Sequence, residues 1–546
     1  MKYKTPASAL TICLLAGCSP PGESAEAQTK PAVQQDPWFV DEAAIRGVDF
    51  VVHADLPGDT PQLPEIVAGG AAAFDANQDG WIDLYLIQAD RFDSNKLLRN
   101  RGDGTFEDVT AGSGADDRGW GMGVATGDID RDGDIDIYVT NLGRDTLLRN
   151  DGNMQFTDIT ETAGLGHESL GASASFFDGD QDGDLDLIVT NYVDWDPQRE
   201  LECRSRTGLL DYCAPMNYAA PTTDILYRND NGVFVDVTAQ AGLGQTMGNG
   251  LGVIAQDFTD DGLIDLFIAN DGNPDRLWVN LGDWHFEDRA MEMGCDRDLT
   301  GKAKAGMGVA SEDIDNDGDF DLIVCNLYGE SDSMYLIDNG RFIDVTGIQG
   351  LSALSRPFTR FGIGFRDFNN DGELELYEAN GRVSVKKPLW AEDPYVEPNL
   401  LLKREGNRFV EVIPRGGVTE NEPRTSRAAV FLDADNDGRV DVLVINRAAP
   451  ARLLMNQSNQ GHWLMLDVRD EHDGPAIGAA VEITAGGRTR RFIVRTDGSY
   501  LAAHDPRVHV GLGQTNVVDR VLVQWPNGQE QTLNGIKIDA ITHIRP

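Results

Sequence analysis

Carboxylates stand at alternate positions of Asp128-Ile-Asp-Arg-Asp-Gly-Asp-Ile-Asp136, with a glycine in sixth place. Six further copies of this nine-residue figure begin at Asp75, Asp178, Asp257, Asp313, Asp367 and Asp433. Oxygen ligands crowded in this way suit a hard cation. Ca2+ takes about six to eight of them in a flexible shell, whereas Mg2+ demands a rigid octahedron and keeps its waters. Positions one, three, five and nine offer side-chain oxygens, and position seven offers a backbone carbonyl. The metal ligands so read are Asp75, Asn77, Asp79 and Asp83; Asp128, Asp130, Asp132 and Asp136; Asp178, Asp180, Asp182 and Asp186; Asp257, Thr259, Asp261 and Asp265; Asp313, Asp315, Asp317 and Asp321; Asp367, Asn369, Asp371 and Glu375; and Asp433, Asp435, Asp437 and Asp441. Up to seven Ca2+ ions follow from these loops. Glycine at position six permits a turn that a Cβ would strain. Copies two, three and five carry five carboxylates each, whereas copies one and four have Asn77 and Thr259 at position three and are expected to bind most weakly.

The flanks say what must hold such loops in place. Each is followed by a short apolar run that ends in or near Asn, as in Ile137-Tyr-Val-Thr-Asn141 and Leu322-Ile-Val-Cys-Asn326. In the clearest unit, residues 121–126 are small and apolar and suit a crowded innermost strand. The acidic loop comes next, then the run to Asn141, a third strand at residues 146–150, an Asp151-Gly152 hairpin turn and an alternating fourth strand at 155–160. Four strands in each of seven units predict an all-β fold, a seven-bladed β-propeller over residues 38–457. The first Asp residues are 53, 50, 79, 56, 54 and 66 positions apart, so the repeat tolerates insertions. An EF-hand would need helical flanks and Glu at position twelve; six copies have an apolar residue there and only the sixth has Glu378. The pattern also starts out of phase. Phe39-Val-Asp-Glu-Ala43 resembles a fourth strand with no predecessors, and only strands two and three follow the seventh loop. The first segment is therefore expected to complete the last blade and close the ring, which removes exposed sheet edges.

Bulk composition agrees. The net charge is -44, with 46 Lys and Arg against 90 Asp and Glu, which excludes nucleic acid and anionic membrane surfaces as partners. A third of those acids lie in the seven loops, where they repel one another unless cations are present.

The first residues are basic, and an apolar run follows that ends in Leu15-Ala-Gly-Cys18. This resembles a bacterial lipoprotein signal: a leader over 1–17, Cys18 as the lipidated residue, and Ser19 next, as in outer-membrane sorting. An ordinary secretory signal is the competing reading. Residues 18–37 are rich in Pro, Gln, Ala and Glu and read as a flexible tether. The expected location is the bacterial envelope, with the membrane touched only through the lipid. In an exported chain, Cys203 and Cys213, in the insert near residues 194–223, are expected to form a disulfide. Cys295 and Cys325 pair or stay free, with Cys325 in an apolar strand.

The repeats resemble the FG-GAP or VCBS type of integrin α-chain propellers. Residues 458–546 lack acidic loops, and there Ala476-Ile-Gly-Ala-Ala-Val481, His509-Val-Gly-Leu-Gly513 and Trp525-Pro-Asn-Gly528 resemble the ASPIC and UnbV domain of the cartilage acidic protein family. Ala480 and Val510 replace residues that are commonly Arg and Phe in that family. The resemblance implies a small β-domain after the propeller.

Other motifs weigh less. Arg101-Gly102-Asp103 spells an adhesive tripeptide but falls, by register, in a hairpin turn. There is no HExxH, no GxSxG and no phosphate-binding glycine loop. Lys304, Arg360 and Arg427 fall at the innermost strands of three successive units; they could converge on an anionic ligand at a channel mouth, or pair with nearby acids. Two functions remain. One is a monomeric, calcium-stabilised binding or scaffold module for a protein or glycan. The other is an enzyme or biosynthetic accessory of the UnbV type, marked by an acid–base pair in the channel.

Overall fold

Seven strands of mostly small residues stand innermost: Ala71–Phe74, Trp120–Gly127, Glu168–Phe177, Gly250–Gln256, Gly306–Glu312, Arg360–Arg366 and Ser426–Leu432. Each begins an antiparallel meander of four strands, and neighbouring innermost strands pack in sequence until the seventh meets the first. This is a β-propeller, seen in a computed structural model that describes residues 36–546 apart from 55, 57, 59, 91, 386–392, 421 and 459. The leader, Cys18 and the tether as far as residue 35 lie outside the described residues. The second and third units are also joined edge to edge, through Asp136–Arg144 against Glu168–Phe177. The last unit takes its outermost strand from the start of the chain, with Phe39 opposite Asn456 and Asp41 opposite Leu454.

Apolar faces of adjacent units interlock between the blades. Phe74 and Tyr85 of the first unit pack with Val124 and Ile137 of the second, all at most 1% exposed. Aromatic side chains recur in these seams because each brings a large buried area with defined edge-to-face geometry, as in the perpendicular Phe39 and Phe368 rings 5.3 Å apart.

The acidic loops all follow the C-terminal ends of the innermost strands, so they open on one face, the loop face. Residues 462–544 form a β-domain of a three-stranded and a four-stranded sheet around Leu464, Val481, Val523 and Trp525. It lies against the loop face: Arg507 donates to the Asp433 carbonyl at 3.1 Å and Arg469 contacts Asp75 at 3.4 Å.

From this domain residues 496–504 enter the central channel and touch all seven units. Ala502 and Ala503 pair in parallel with Ala71 and Ala72. Thr496 donates to the Thr126 carbonyl at 3.0 Å, and Leu501 N donates to Ser173 Oγ at 3.1 Å. Asp497 Oδ2 accepts from Ser175 and from Ala255 N. Ser499 exchanges two backbone hydrogen bonds with Val309, and its hydroxyl accepts from Ile363 N at 3.0 Å and donates to the Ala429 carbonyl at 2.9 Å. Tyr500, fully buried, reaches the Val67 carbonyl at 2.8 Å. Glycine makes room for this plug: a Cβ on Gly70 would stand 2.6 Å from the Leu501 carbonyl oxygen.

The opposite face is covered too. The short helix Leu63–Val67 is wholly buried there. The insert of the third unit crosses to the sixth and seventh, where Asp211 accepts from Val385 N and Tyr395, and Tyr212 accepts from Arg447 at 2.7 Å. Cys203 and Cys213, in that insert, are joined as a disulfide, and Cys295 and Cys325 are free and buried.

Candidate metal centre

In every loop the carboxylates first organise the backbone. In six of the seven the position-one side chain accepts from the position-six glycine, as Asp128 Oδ2 does from Gly133 N at 2.9 Å and Asp433 Oδ2 from Gly438 N at 2.8 Å; in the fifth, Asp313 accepts from Asp317 N instead. That glycine is left-handed in all seven loops, φ +81° to +98°, as the turn requires. The position-five carboxylate caps position seven, as Asp132 Oδ1 does from Asp134 N. In six of the seven loops the position-nine side chain clamps the loop to the third strand of its unit, whereas Glu375 of the sixth accepts from Phe368 N and Asn369 Nδ2 of its own loop. Asp136 Oδ2 accepts from Ile129 N at 2.9 Å and its Oδ1 from Asn150 N at 2.7 Å. Asp83, Asp186, Asp265, Asp321 and Asp441 repeat this double acceptance.

Carboxylates held this way converge. One oxygen from each of Asp128, Asp130 and Asp136 lies within 4.8 Å of the others, and so do those of Asp178, Asp180 and Asp186, of Asp313, Asp315 and Asp317, and of Asp433, Asp435 and Asp441. These are the four loops with Asp at position three; the other three have Asn77, Thr259 and Asn369. Burial drives the carboxyls toward the neutral form, and neighbouring carboxylates add to it. Asp83 and Asp321 are pushed up to about 8, Asp186 to about 9 and Asp128 to about 7, while Asp136, Glu375 and Asp441 rise well above the usual range. Among the described residues, six loop oxygens are buried without a hydrogen-bond donor, four of them at the ligand positions (Asp178 Oδ1, Asp313 Oδ2, Asp435 Oδ1 and Thr259 Oγ1) and two beside them (Asp184 Oδ1 and Asn370 Oδ1). Acceptors left over among like charges fit a cation, and an all-oxygen set fits Ca2+.

The FG-GAP-like repeat pattern matches residues 75–139, 128–189, 257–324 and 313–378, and the ASPIC and UnbV pattern matches residues 470–546. The chain carries FG-GAP-like repeats and an ASPIC and UnbV domain. It is similar to cartilage acidic protein 1 of Homo sapiens, 29% identical over 310 residues that make up 55% of this chain and 44% of that protein. The Mus musculus protein of the same name is 27% identical over 354 residues, 61% of this chain and 52% of that one. The chain thus spans about half the length of the curated relatives it matches. Among solved structures it is similar to YCF48 bound to D1 peptide, with a TM-score of 0.42 and 12% identity over 75% of this chain and 98% of that one.

The FG-GAP units are also stapled to one another at these loops, by a residue that sequence reasoning passed over. The Asn that ends the third strand donates through Nδ2 to the position-two carbonyl of a neighbouring unit's loop: Asn100 to Ala434, Asn150 to Ala76, Asn229 to Ile129, Asn280 to Gly179 and Asn456 to Phe368, at 2.7–3.0 Å. The signal was its recurrence at the end of five third strands. The position-nine side chain was read as a metal ligand alone, yet it is first a backbone clamp.

Lys304, Arg360 and Arg427 stand on the side away from the loops, with their donors directed at the chain itself. Lys304 donates to the Ser331 and Asp332 carbonyls and Ser333 Oγ. Arg360, fully buried, is paired with Asp332 at 2.7 Å. Arg427, fully buried, donates to the Ile66, Gly381, Ser426 and Arg382 carbonyls and lies over the Phe361 ring at 4.1 Å. Arg101-Gly102-Asp103 lies in the hairpin turn between Lys96–Asn100 and Phe106–Asp108, with Arg101 paired to Glu107.

Proposed function

We propose that this chain is a calcium-stabilised scaffold that presents its outer surfaces to a binding partner, a protein or a glycan. Support comes chiefly from the buried loop oxygens without donors at Asp178, Asp313, Asp435 and Thr259. The ions would be held by the loop carboxylates, and their bound charge would offset the mutual repulsion that otherwise favours protonation. The plug and the covered far face argue for a scaffold, since a catalytic pair in the channel would need the room taken by residues 496–504. In this reading the protein acts as a monomer at the bacterial envelope, lipid-anchored through Cys18 in the outer membrane. Among the described residues, no helix is long and apolar enough to cross a membrane.

Calorimetric melting in calcium and in EGTA tests the metal. Chelation should lower the melting temperature and restored calcium should raise it again; indifference to both would overturn the calcium reading. Labelled palmitate should enter the wild-type chain and not Cys18→Ser, and equal labelling of the two would overturn the anchor.

A further inference from the structure

Between the loop face and the ASPIC and UnbV domain lies a cavity of about 390 Å³. It adjoins a second of about 190 Å³, and Trp525, Asn527 and Gln181 line both. Its walls come from the ends of the third and fourth innermost strands, the loops that follow them, and the Trp525-Pro-Asn-Gly528 turn. Its size falls in the range of small-ligand sites, about 300–1,000 Å³.

Three polar atoms in its lining have no partner: Asp178 Oδ1, which belongs to the candidate metal set of the third loop, and one atom each on Gln256 and Arg491. Gln256, 2% exposed, donates through Nε2 to the Asp257 carbonyl at 3.3 Å, while its Oε1 accepts nothing. Arg491 Nε is buried with no acceptor, although the same guanidinium contacts Asp260. Buried polar groups are rarely left so, because each unmade hydrogen bond is destabilising. An acceptor and a donor thus await a ligand that can both donate and accept, as a hydroxyl does.

Charge narrows the class. Asp497 is paired with Arg495 at 2.9 Å, which neutralises both. Asp178, Asp257 and Glu530 are at the cavity wall and would repel an anion. Arg491 would repel a cation. The remaining surface is amide and apolar: Gln181, Asn527, Ile264 and Trp525. We infer that this interdomain groove binds a neutral saccharide, with its hydroxyls on Gln256 and Arg491 and its apolar face toward Ile264 and Trp525. The inference rests on the reading of the chain as a binding module and names both the place and the class of ligand.

The test uses the full chain in calcium on a printed array of neutral and acidic di- to tetrasaccharides, with hits measured by titration calorimetry. Neutral saccharides should bind. Gln256→Leu, close in shape but without the free acceptor, should weaken the hit about tenfold or more while the melting temperature holds or rises. Asn527→Ala, at an exposed position, should also weaken it and serves if Gln256→Leu fails to fold. Binding of acidic saccharides alone, no neutral hit at millimolar concentration, or an affinity untouched in the soluble variants would overturn the inference. Melting in EGTA, run alongside, separates the outcomes: saccharide binding lost in Gln256→Leu with no effect of EGTA on melting would uphold the groove and overturn the calcium scaffold.

Discussion

Ser499→Ala removes one hydroxyl from the channel plug and tests whether the ASPIC and UnbV domain holds the propeller together. That hydroxyl is the sole side-chain link drawn from residue 499 to both the sixth and the seventh unit, accepting from Ile363 N and donating to the Ala429 carbonyl. All three residues are at most 1% exposed. Its loss strands one buried N–H and one buried C=O. Each unsatisfied buried group costs about 1–3 kcal/mol, so the variant should lose about 2–6 kcal/mol. That is a large share of a total stability on the order of 5–15 kcal/mol. The assay is urea unfolding in excess calcium, followed by tryptophan fluorescence and far-UV circular dichroism in parallel. Both probes should move together to lower urea. A loss below about 0.5 kcal/mol, the usual range of a surface substitution, would refute the idea that the plug is an axle. So would a fluorescence change confined to an early step that leaves the propeller transition where it was.

Calcium titration of the chelated protein should fill four tight sites, those whose carboxylates converge, and Asp180→Ala should remove one. Each filled site adds about 2.7 kcal/mol when free metal is a hundred times Kd. In EGTA, stability should fall as pH rises from about 4 toward 9. The raised carboxyls, such as Asp83 and Asp321 at about 8, favour the fold while protonated and oppose it once ionised; a flat or rising profile in scanning calorimetry would contradict this. Gly438→Ala and Gly318→Ala make a matched pair. Both glycines are left-handed, so each variant incurs roughly 1–2 kcal/mol of backbone strain. At Gly438 the new Cβ would also stand 1.9 Å from the Trp463 ring, whereas nothing lies within 4 Å at Gly318, so chemical denaturation should find Gly438→Ala the more damaging. Finally, reduction of the Cys203–Cys213 bond releases a loop worth about 2.7 kcal/mol in chain entropy, and trypsin should then cut at Arg204 or Arg206 faster than in the oxidised protein.

The propeller was legible because its signals are local. The Asp-x-Asp-x-Asp-Gly loop lies within nine residues of itself, and the flanking strands alternate over a handful more. Phase alone placed Phe39 on the last blade, since a fourth strand without predecessors has one vacancy to fill. The plug was not legible. Thr496-Asp-Gly-Ser-Tyr-Leu-Ala-Ala503 reads as a turn before a small apolar strand, and nothing within it says that Ala502 will pair with Ala71 some 430 residues earlier. Likewise the insert showed its two cysteines but not the partners of Asp211 and Tyr212, which come from the sixth and seventh units. Lys304, Arg360 and Arg427 were rightly placed near innermost strands, yet spacing could not show that their donors turn to carbonyls of the same chain. Pattern reports which face a residue occupies; it does not report what a distant segment brings to that face.

The strand that begins the ring is its last piece to be seated. Phe39–Asp41 can find its partner only after Arg452–Asn456 has been made, about 400 residues later. At about 5–20 residues per second the ribosome needs about 20–80 seconds to cover that distance. During this interval the growing sheet keeps an open edge, and the first strand stays unpaired. Until its far end emerges the ring cannot lock, so the polypeptide remains threadable, and under the export proposed above completion of the circle would fall to the destination compartment.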